Sequence, residues 1–316
     1  MPLAEPVRGG SFTDLHDLDL SGSCATKQVL PITVVIAVKN EAANLQECLD
    51  SLAPASRIVL VDSSSTDDTT SIGRAFGAEI ANFYYRGGYP KKRQWALDTL
   101  NISTPWTMLV DADERIPREL WQEIEQVIGR GECIAYLIRK EFHFLGKKFR
   151  FGGFSHSAIA LFRTGHARFE EAGGNQANDQ DMEVHERLIV DGKVGRLRNS
   201  LVHNDYKGLH SYFDRHNKYS TWEAGVRAHF LRTGAWGDKT IRPSLLGDAQ
   251  SFRRFVKAIL IRFPGEAWLW FLYHYFLRAG FLEGRRGYIA ASIRKAYIEQ
   301  VRAKLYESRL TQRRSR

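Results

Sequence analysis

Three short apolar runs, separated by segments with helical spacing, constrain the fold more than any other feature of this sequence. They cover residues 32–38, 57–61 and 106–110, and they are rich in the β-branched and other apolar residues of buried strands. Asn40 follows the first run and is expected to cap the helix that comes next. Strands and helices that alternate in this order predict a parallel sheet flanked by helices.

A polar cluster follows each of the three runs. The clusters begin at Lys39, Asp62 and Asp111. Open α/β sheets bind ligands beyond the carboxyl ends of their strands. Three separate elements would therefore deliver acids, amides and hydroxyls to one edge, and the sequence predicts a ligand site there.

Asp111 and Asp113 stand two residues apart at the end of the third run. The two-residue period of a strand puts both carboxylates on one face, where they can share a divalent cation, Mg²⁺ or Mn²⁺. Such a hard cation binds the oxygens of a diphosphate and stabilises its departure in glycosyl transfer. The alternative is that Asp111 caps a helix and that Asp113 lies in the first turn of this helix.

The three segments resemble the nucleotide-sugar motifs of family 2 glycosyltransferases. The resemblance rests on residues 33–41, 58–69 and 109–114, which occur in the order and at the separations found in the family. It implies an α/β fold of the GT-A, Rossmann-like type, with a mixed, mainly parallel sheet flanked by helices. Here a C-terminal amphipathic helical appendage would follow that domain.

The same resemblance implies roles for individual residues. The backbone near Ala37 and the side chain of Asp62 would contact the base of the donor, usually uracil, although Ala37 stands where many members have proline. Asp111 and Asp113 would serve the ribose and the metal. The other residues expected to bind the donor lie at the same lip or in the basic segment that faces the diphosphate in the family: Lys39, Glu41, Lys92 and Arg93.

An inverting transfer needs a carboxylate that takes the proton of the acceptor hydroxyl. Residues 182–188 resemble the Val-His-Glu segment of lipopolysaccharide core β-glycosyltransferases, and on this resemblance Glu186 is the general base. Glu183 and Asp181 are the competing acids. In the same subgroup a histidine lies near the metal, so that His203 is expected to be a third metal ligand.

The positive charge of the chain is concentrated at its C-terminal end. The whole chain carries +9, whereas residues 251–316 contain 15 Lys and Arg against 4 Asp and Glu, a net of +11. Residues 252–263 show an amphipathic helical pattern, and residues 267–277 are uncharged, aromatic and too short to span a bilayer. We expect residues 251–306 to lie on an anionic membrane surface. The alternative is that these helices pack on the catalytic domain.

These observations predict three parts: a lead-in (1–30), a GT-A catalytic domain (31–235) and a basic helical segment (236–316). Three distant cysteines and no secretory leader indicate a cytoplasmic protein, peripheral on the inner face of the cytoplasmic membrane. The predicted function is inverting transfer from a nucleotide-sugar, with UDP as the expected nucleotide, to a lipid-linked or lipopolysaccharide-type acceptor. Polyprenyl phosphate and an exopolysaccharide repeat unit are alternative acceptors.

A basic nucleic-acid-binding protein is the alternative of another class. The aromatic residues of the C-terminal segment form one continuous apolar run rather than separate stacking platforms. Nucleic-acid binding also gives no reason for acids at three strand ends. We therefore expect no nucleic-acid partner.

Overall fold

The computed structural model describes residues 29–170, 181, 187–204, 207–234 and 249–314. Most of the predicted lead-in, the segment that contains Glu183 and Glu186, and most of the linker before the C-terminal helices lie outside the described residues.

The first half of the chain forms the parallel part of a sheet. Its elements are β1 (Leu30–Val38), α1 (Ala42–Asp50), β2 (Ala55–Asp62), α2 (Thr69–Phe76), β3 (Glu79–Asn82), α3 (Lys92–Thr99) and β4 (Trp106–Asp111). Strand β1 pairs in parallel with both β2 and β4, and β2 pairs in parallel with β3. All three predicted strands are present, each slightly longer than its apolar run.

The second half of the sheet is mixed. It contains β5 (Glu114–Arg115), α4 (Arg118–Arg130), β6 (Ala135–Phe144), β7 (Lys147–Lys148), β8 (His156–Arg163), β9 (Ala167–Phe169), β10 (Leu188–Val190) and β11 (Val194–His203). The strand order is β3-β2-β1-β4-β8-β6-β11-β5, with β7 beside β6, and β9 and β10 form a separate pair. Strand β8 runs antiparallel to β4 and β6, whereas β6 and β11 are parallel. A mixed sheet flanked by helices confirms the predicted fold class.

Strand β1 is apolar except for Thr33 because helices cover both faces of the sheet. Ile36 belongs to the core on the side of α1 and α4, together with Leu45 and Ile124. Val35 belongs to the core on the opposite side, together with Ala96 of α3. Burial on both faces explains why the sequence shows a continuous apolar run rather than an alternating one.

The C-terminal part of the described chain is helical. It comprises α5 (Gly208–Thr233), α6 (Ala249–Arg262), α7 (Glu266–Leu272), a π-helical turn (Tyr273–Leu277), a 3₁₀ turn (Gly280–Glu283) and α8 (Arg285–Arg314). No helix among the described residues is both long enough and apolar enough to cross a membrane.

The inner side of this helical part packs on the sheet. The Glu283 carboxylate accepts hydrogen bonds from the backbone N–H groups of Arg150 at 2.6 Å and Phe151 at 2.9 Å. The His274 ring stacks on Phe154 with 4.5 Å between the ring centroids, and its Nδ1 lies 2.7 Å from the carbonyl oxygen of Gly152. The helices are thus attached to the β6–β8 region by buried polar contacts as well as by aromatic packing.

A close backbone contact at Gly287 fixes the start of α8. A Cβ atom at this position would overlap the carbonyl oxygen of Gly280 and would lie 3.0 Å from Cβ of Glu283. We expect Gly287→Ala to lower the free energy of unfolding by about 2 kcal/mol, because overpacking forces the backbone to shift. Gly129→Ala in α4 is the matched control, since nothing lies within 4 Å of its Cβ position. This control should leave stability unchanged or raise it by about 0.5–1 kcal/mol in chemical denaturation.

A buried ion network joins α5, α7 and α8. Arg227, only 2% exposed, pairs with Glu223 at 2.8 Å and with Glu266 at 2.7 Å. The Tyr297 hydroxyl donates a hydrogen bond to Glu223 at 2.8 Å. Burial alone would raise the pKa of Glu223, but the charges of Lys257 and Arg227 lower it to about 2.

This network predicts a specific loss of stability in acid. The folded-state pKa of Glu223 lies below its ordinary value of 4.5, so that the folded state binds fewer protons. The stabilisation is therefore fully present above pH 4.5 and is lost as the pH falls towards 2. Between those limits we expect the wild type to lose about 3 kcal/mol more unfolding free energy than Glu223→Gln, from a shift of about 2.5 pKa units. Denaturant melts of both proteins across this pH range measure the difference, and parallel curves would contradict it.

Candidate active site

The three strand ends lie side by side at the carboxyl edge of the sheet. Ala37 of β1 pairs with Val61 of β2 on one side and with Asp111 of β4 on the other. Val38 pairs with Asp62. The backbone register thus brings the predicted base-binding residues and Asp111 to neighbouring positions.

The loops after β1 and β2 are hydrogen-bonded to each other. The prediction that Asn40 caps α1 is wrong, because the residue at the N-cap is Glu41. Asn40 has a backbone φ of 54°, and its Oδ1 accepts a hydrogen bond from the N–H of Thr66 at 2.8 Å. The N–H of Asn40 in turn donates to the Ser65 hydroxyl at 2.9 Å. Asp62 is buried and accepts a hydrogen bond from the N–H of Ser65 at 3.0 Å. The side chain of Asn40 therefore holds the lip of the site together.

Asp111 lies at the centre of a cluster of charges. Its carboxylate pairs with Arg93 and, at 2.9 Å, with Nζ of Lys140. Lys140 also pairs at 2.5 Å with Glu114, which is fully buried. Burial by itself would raise the pKa of Asp111, but the positive charges of Arg93 and Lys140 hold it well below its usual range. Asp111 is therefore ionised and fixed in direction by two cations from distant parts of the chain.

Asp113 pairs with His203 rather than with Arg93 or Lys140, although His203 is close enough to Asp111 and Glu114 for their charges to interact. Strand β4 ends at Asp111, so that Asp113 sits in the following turn and the two-residue period of a strand does not set its direction. Its Oδ2 lies 3.2 Å from Nε2 of His203. Burial alone would lower the pKa of His203, but the hydrogen bond and the charge of Asp113 raise it to about 9.

The Asp113–His203 pair fits a divalent cation in part. Neighbouring ligands of an octahedral ion lie about 3 Å apart when each is about 2.1 Å from the metal, which matches the spacing of these two side chains. Among the described residues, no group of three or more His, Cys, Asp or Glu side chains is arranged to hold a metal.

The start of α3 brings Lys92 to the edge, next to Arg93. Lys92, 2% exposed, donates from Nζ to the carbonyl oxygen of Val38 at 2.9 Å and pairs with Asp181 at 3.1 Å. Burial alone would raise the pKa of Asp181, but the charge of Lys92 lowers it. Asp181 thus serves as an ion-pair partner, and its low pKa makes it a poor proton acceptor. Lys39 is exposed at the same lip.

Comparison with known families decides the class of the protein. Residues 33–178 match the family model described as glycosyl transferase family 2. The protein is a glycosyltransferase, similar to family 2 over these residues. The matched residues include all three strand ends and the charge cluster around Asp111.

Among curated proteins, this glycosyltransferase is similar to the lipopolysaccharide core biosynthesis glycosyltransferase LpsC of Rhizobium meliloti. The two are 29% identical over 217 residues, which cover 64% of this chain and 76% of LpsC. An uncharacterized glycosyltransferase of Rickettsia typhi is 25% identical over 273 residues, 83% of this chain and 82% of that protein. The predicted resemblance to a family 2 enzyme of lipopolysaccharide core synthesis is confirmed.

Two solved structures are also similar. Glucosyl-3-phosphoglycerate synthase from Mycobacterium tuberculosis, in complex with Mn²⁺, UDP and glucosyl-3-phosphoglycerate, is 26% identical with a TM-score of 0.29. The match covers 36% of this chain and 44% of the synthase, so that it spans less than half of that enzyme. S. aureus TarS 1–349 is 16% identical with a TM-score of 0.42, over 85% of this chain and 80% of TarS.

Two residues of the site, Lys140 and Lys207, were not predicted from the sequence of the glycosyltransferase. Lys140 lies in the largely apolar strand β6. A positive charge in such a strand was the only sequence signal that could have indicated a role for Lys140 in the site. Lys207 pairs at 2.6 Å with Glu41, whose pKa is raised by burial. Lys207 stands just before α5, far along the chain from the donor motifs, and nothing in its local sequence links it to them.

Proposed function

We propose that the glycosyltransferase transfers a sugar from a UDP-sugar, with inversion, to a lipid-linked or lipopolysaccharide-type acceptor at the inner face of the cytoplasmic membrane. Residues 31–235 would form the catalytic domain and residues 236–316 the helical segment. The observation that carries the proposal is the set of acids and cations, centred on Asp111, at the carboxyl edge of the parallel strands.

The donor would lie across the ends of β1, β2 and β4. The base would contact the backbone near Ala37 and the side chain of Asp62, at neighbouring register positions. The ribose would contact Asp111. Arg93 is the cation of α3 with access to the diphosphate, since its side chain is 17% exposed and that of Lys92 is 3% exposed.

Asp113 and His203 would hold Mg²⁺ or Mn²⁺ beside the diphosphate. When bound, the cation supplies the positive charge that stabilises a leaving nucleoside diphosphate. Asp111 fits a ribose contact better than a metal ligand, because Arg93 and Lys140 already bind its two oxygens.

Glu186 would accept the proton of the acceptor hydroxyl as the new glycosidic bond forms. A described residue near it in the sequence supports this assignment. The carbonyl oxygen of Asp181 accepts a hydrogen bond from the N–H of Lys92 at 2.8 Å, which ties Asp181 to the donor edge. Glu186 follows Asp181 by five positions in the sequence.

The test of the proposal is a screen of UDP-sugars by UDP release, with a bacterial membrane extract as acceptor. We expect one UDP-sugar to give turnover that requires both the extract and a divalent cation. A gel-shift assay with DNA and RNA runs beside it, since shifts at physiological salt without UDP release would favour nucleic-acid binding instead.

An exposed apolar surface supports membrane attachment. Its side chains lie between residues 268 and 282, on the outer side of the C-terminal helices: Trp268, Leu269, Leu272, Phe276, Leu277, Phe281 and Leu282. We call this set the 268–282 surface. Exposed patches of this kind, rimmed by arginines such as Arg278 and Arg285, are typical of proteins that bind anionic lipid.

Leu277, 79% exposed, is the most accessible side chain of the 268–282 surface. We expect Leu277→Asp to weaken sedimentation with liposomes of phosphatidylglycerol about tenfold, because an acid replaces an apolar group at the lipid boundary. Val29→Asp is the matched control, since Val29 is 59% exposed at the opposite, amino-terminal edge of the sheet. Equal sedimentation of both variants and the wild type would contradict attachment through this surface.

A further inference from the structure

A cavity of about 360 Å³ lies between the end of β6 and the C-terminal helices. Aromatic rings form most of its wall: Phe142, Phe144, Phe154, Tyr212, Trp270 and Tyr273. They come from four separate parts of the chain, which the fold brings together. The roles argued above for the donor edge leave this cavity without a function.

The position of the cavity links the donor edge to the 268–282 surface. Phe142 pairs with His203 in the sheet and follows Lys140 by two residues on β6. The cavity therefore begins about one strand spacing, roughly 5 Å, from the candidate metal ligand. At its other end, Trp270 and Tyr273 belong to the same helical turns as the exposed Leu272.

Polar groups in the wall are available to a ligand. The Arg294 guanidinium lies over the rings of Trp270 and Tyr297, with distances of 5.2 and 5.3 Å to the ring centroids. In the described part of the chain, no carboxylate lies within ion-pair distance of Arg294. Nor do the hydroxyls of Tyr212 and Tyr273 make a hydrogen bond to any described residue. The wall thus combines flat aromatic faces with one positive charge and two hydroxyls.

This combination fits a sugar that carries an anionic group. The C–H faces of a sugar ring pack on aromatic rings, its hydroxyls exchange hydrogen bonds with tyrosines, and a phosphate or carboxylate pairs with arginine. A hydrocarbon chain fits less well, because it would remove the Arg294 charge from water without pairing it.

We propose that this cavity binds the acceptor, through a sugar unit that bears a phosphate or a carboxylate. The inference rests on the proposed function, in that it takes the donor edge as the place of transfer. An acceptor sugar in the cavity would have its next hydroxyl directed towards His203 and Asp113, while the lipid end of the molecule leaves along the 268–282 surface.

Calorimetric titration of the full chain tests the site without catalysis. The probe is the phosphorylated core oligosaccharide released by deacylation of rough-type lipopolysaccharide. Three further titrants show whether the sugar, the phosphate or an alkyl chain is recognised: the same oligosaccharide after enzymatic dephosphorylation, inorganic phosphate, and octyl glycerol. We expect the phosphorylated oligosaccharide to bind at least ten times more tightly than each of the other three.

Variants then assign the binding to the cavity. Arg294→Gln should weaken binding of the phosphorylated oligosaccharide at least tenfold and should abolish the preference over the dephosphorylated form. Tyr212→Phe, which keeps the ring, should weaken both forms several-fold and retain the preference. Arg286→Gln, on an exposed arginine of the same helix outside the cavity, should bind as the wild type does.

Three results would overturn the proposal. They are no binding of the phosphorylated oligosaccharide, an unchanged preference in Arg294→Gln, and tighter binding of octyl glycerol than of the oligosaccharide. UDP titrated into the same proteins separates this failure from that of the donor site. UDP binding that is intact in the wild type and in Arg294→Gln, with no oligosaccharide binding, rejects the cavity and leaves the proposed function standing.

Discussion

Replacement of Asp113 by alanine is expected to lower UDP release on the order of 1,000-fold, the scale of losing one preorganised electrostatic stabiliser of a developing negative charge. Asp113 is the acid that pairs with His203, at 3.2 Å, rather than with Arg93 or Lys140. Without it, His203 alone would remain of the two proposed metal ligands, and the leaving diphosphate would keep the charge of Arg93 but lose that of the bound cation. The variant should also lose the dependence of its residual rate on Mn²⁺ concentration.

Asp191→Ala is the matched control for Asp113→Ala. Asp191 lies in an exposed turn before β11, at the opposite end of that strand from His203. It should leave the rate and its Mn²⁺ dependence unchanged. If Asp113→Ala kept a Mn²⁺-dependent rate within tenfold of the wild type, the metal would have to be held elsewhere.

Replacement of Glu186 by glutamine is expected to lower turnover by about 100- to 10,000-fold, which is the usual rate contribution of a positioned general base. The amide keeps the size and the hydrogen-bonding reach of the carboxylate but cannot accept a proton. UDP affinity should remain that of the wild type, because the proposed donor contacts are at the strand ends and on α3. The measurement is UDP release at saturating donor, with UDP titrated into the same protein preparation.

The two competing acids provide the controls for Glu186→Gln. Glu183→Gln should keep most of the activity. Asp181→Asn removes the ion-pair partner of Lys92 and should raise the KM for the donor more than it lowers kcat. Normal turnover of Glu186→Gln together with collapse of Glu183→Gln would move the base to Glu183.

Much of the fold could be predicted because its signals are local. Each of the three strands shows as a run of apolar residues, since both faces of the sheet are covered. The polar residues after each run then mark the carboxyl edge. The three strand ends could therefore be expected at one edge, whereas the pairing of Ala37 with Asp111 depends on β1 and β4 being adjacent in the sheet.

The electrostatic partners at the site could not be predicted in the same way. Lys140 binds Asp111 across the intervening strand β8, and its position depends on strand order rather than on sequence spacing. Lys207 reaches Glu41 from a still more distant part of the chain. The aromatic cavity joins β6 to α5, 70 residues after Phe142 at Tyr212, and to helices more than a hundred residues later, so that no periodicity in one segment points to the others. The prediction of a helix cap at Asn40 was wrong because its side chain accepts a hydrogen bond from Thr66, in the loop after β2, instead.

The central claim is that a nucleoside diphosphate and a divalent cation bind together at the carboxyl edge of the sheet. Its most direct test is calorimetric titration of UDP into the wild type and into Asp113→Ala, each with Mn²⁺ and with a chelator. We predict that Mn²⁺ tightens UDP binding to the wild type at least tenfold and has no effect on the variant. Equal UDP affinity of the wild type with and without Mn²⁺ would contradict the account.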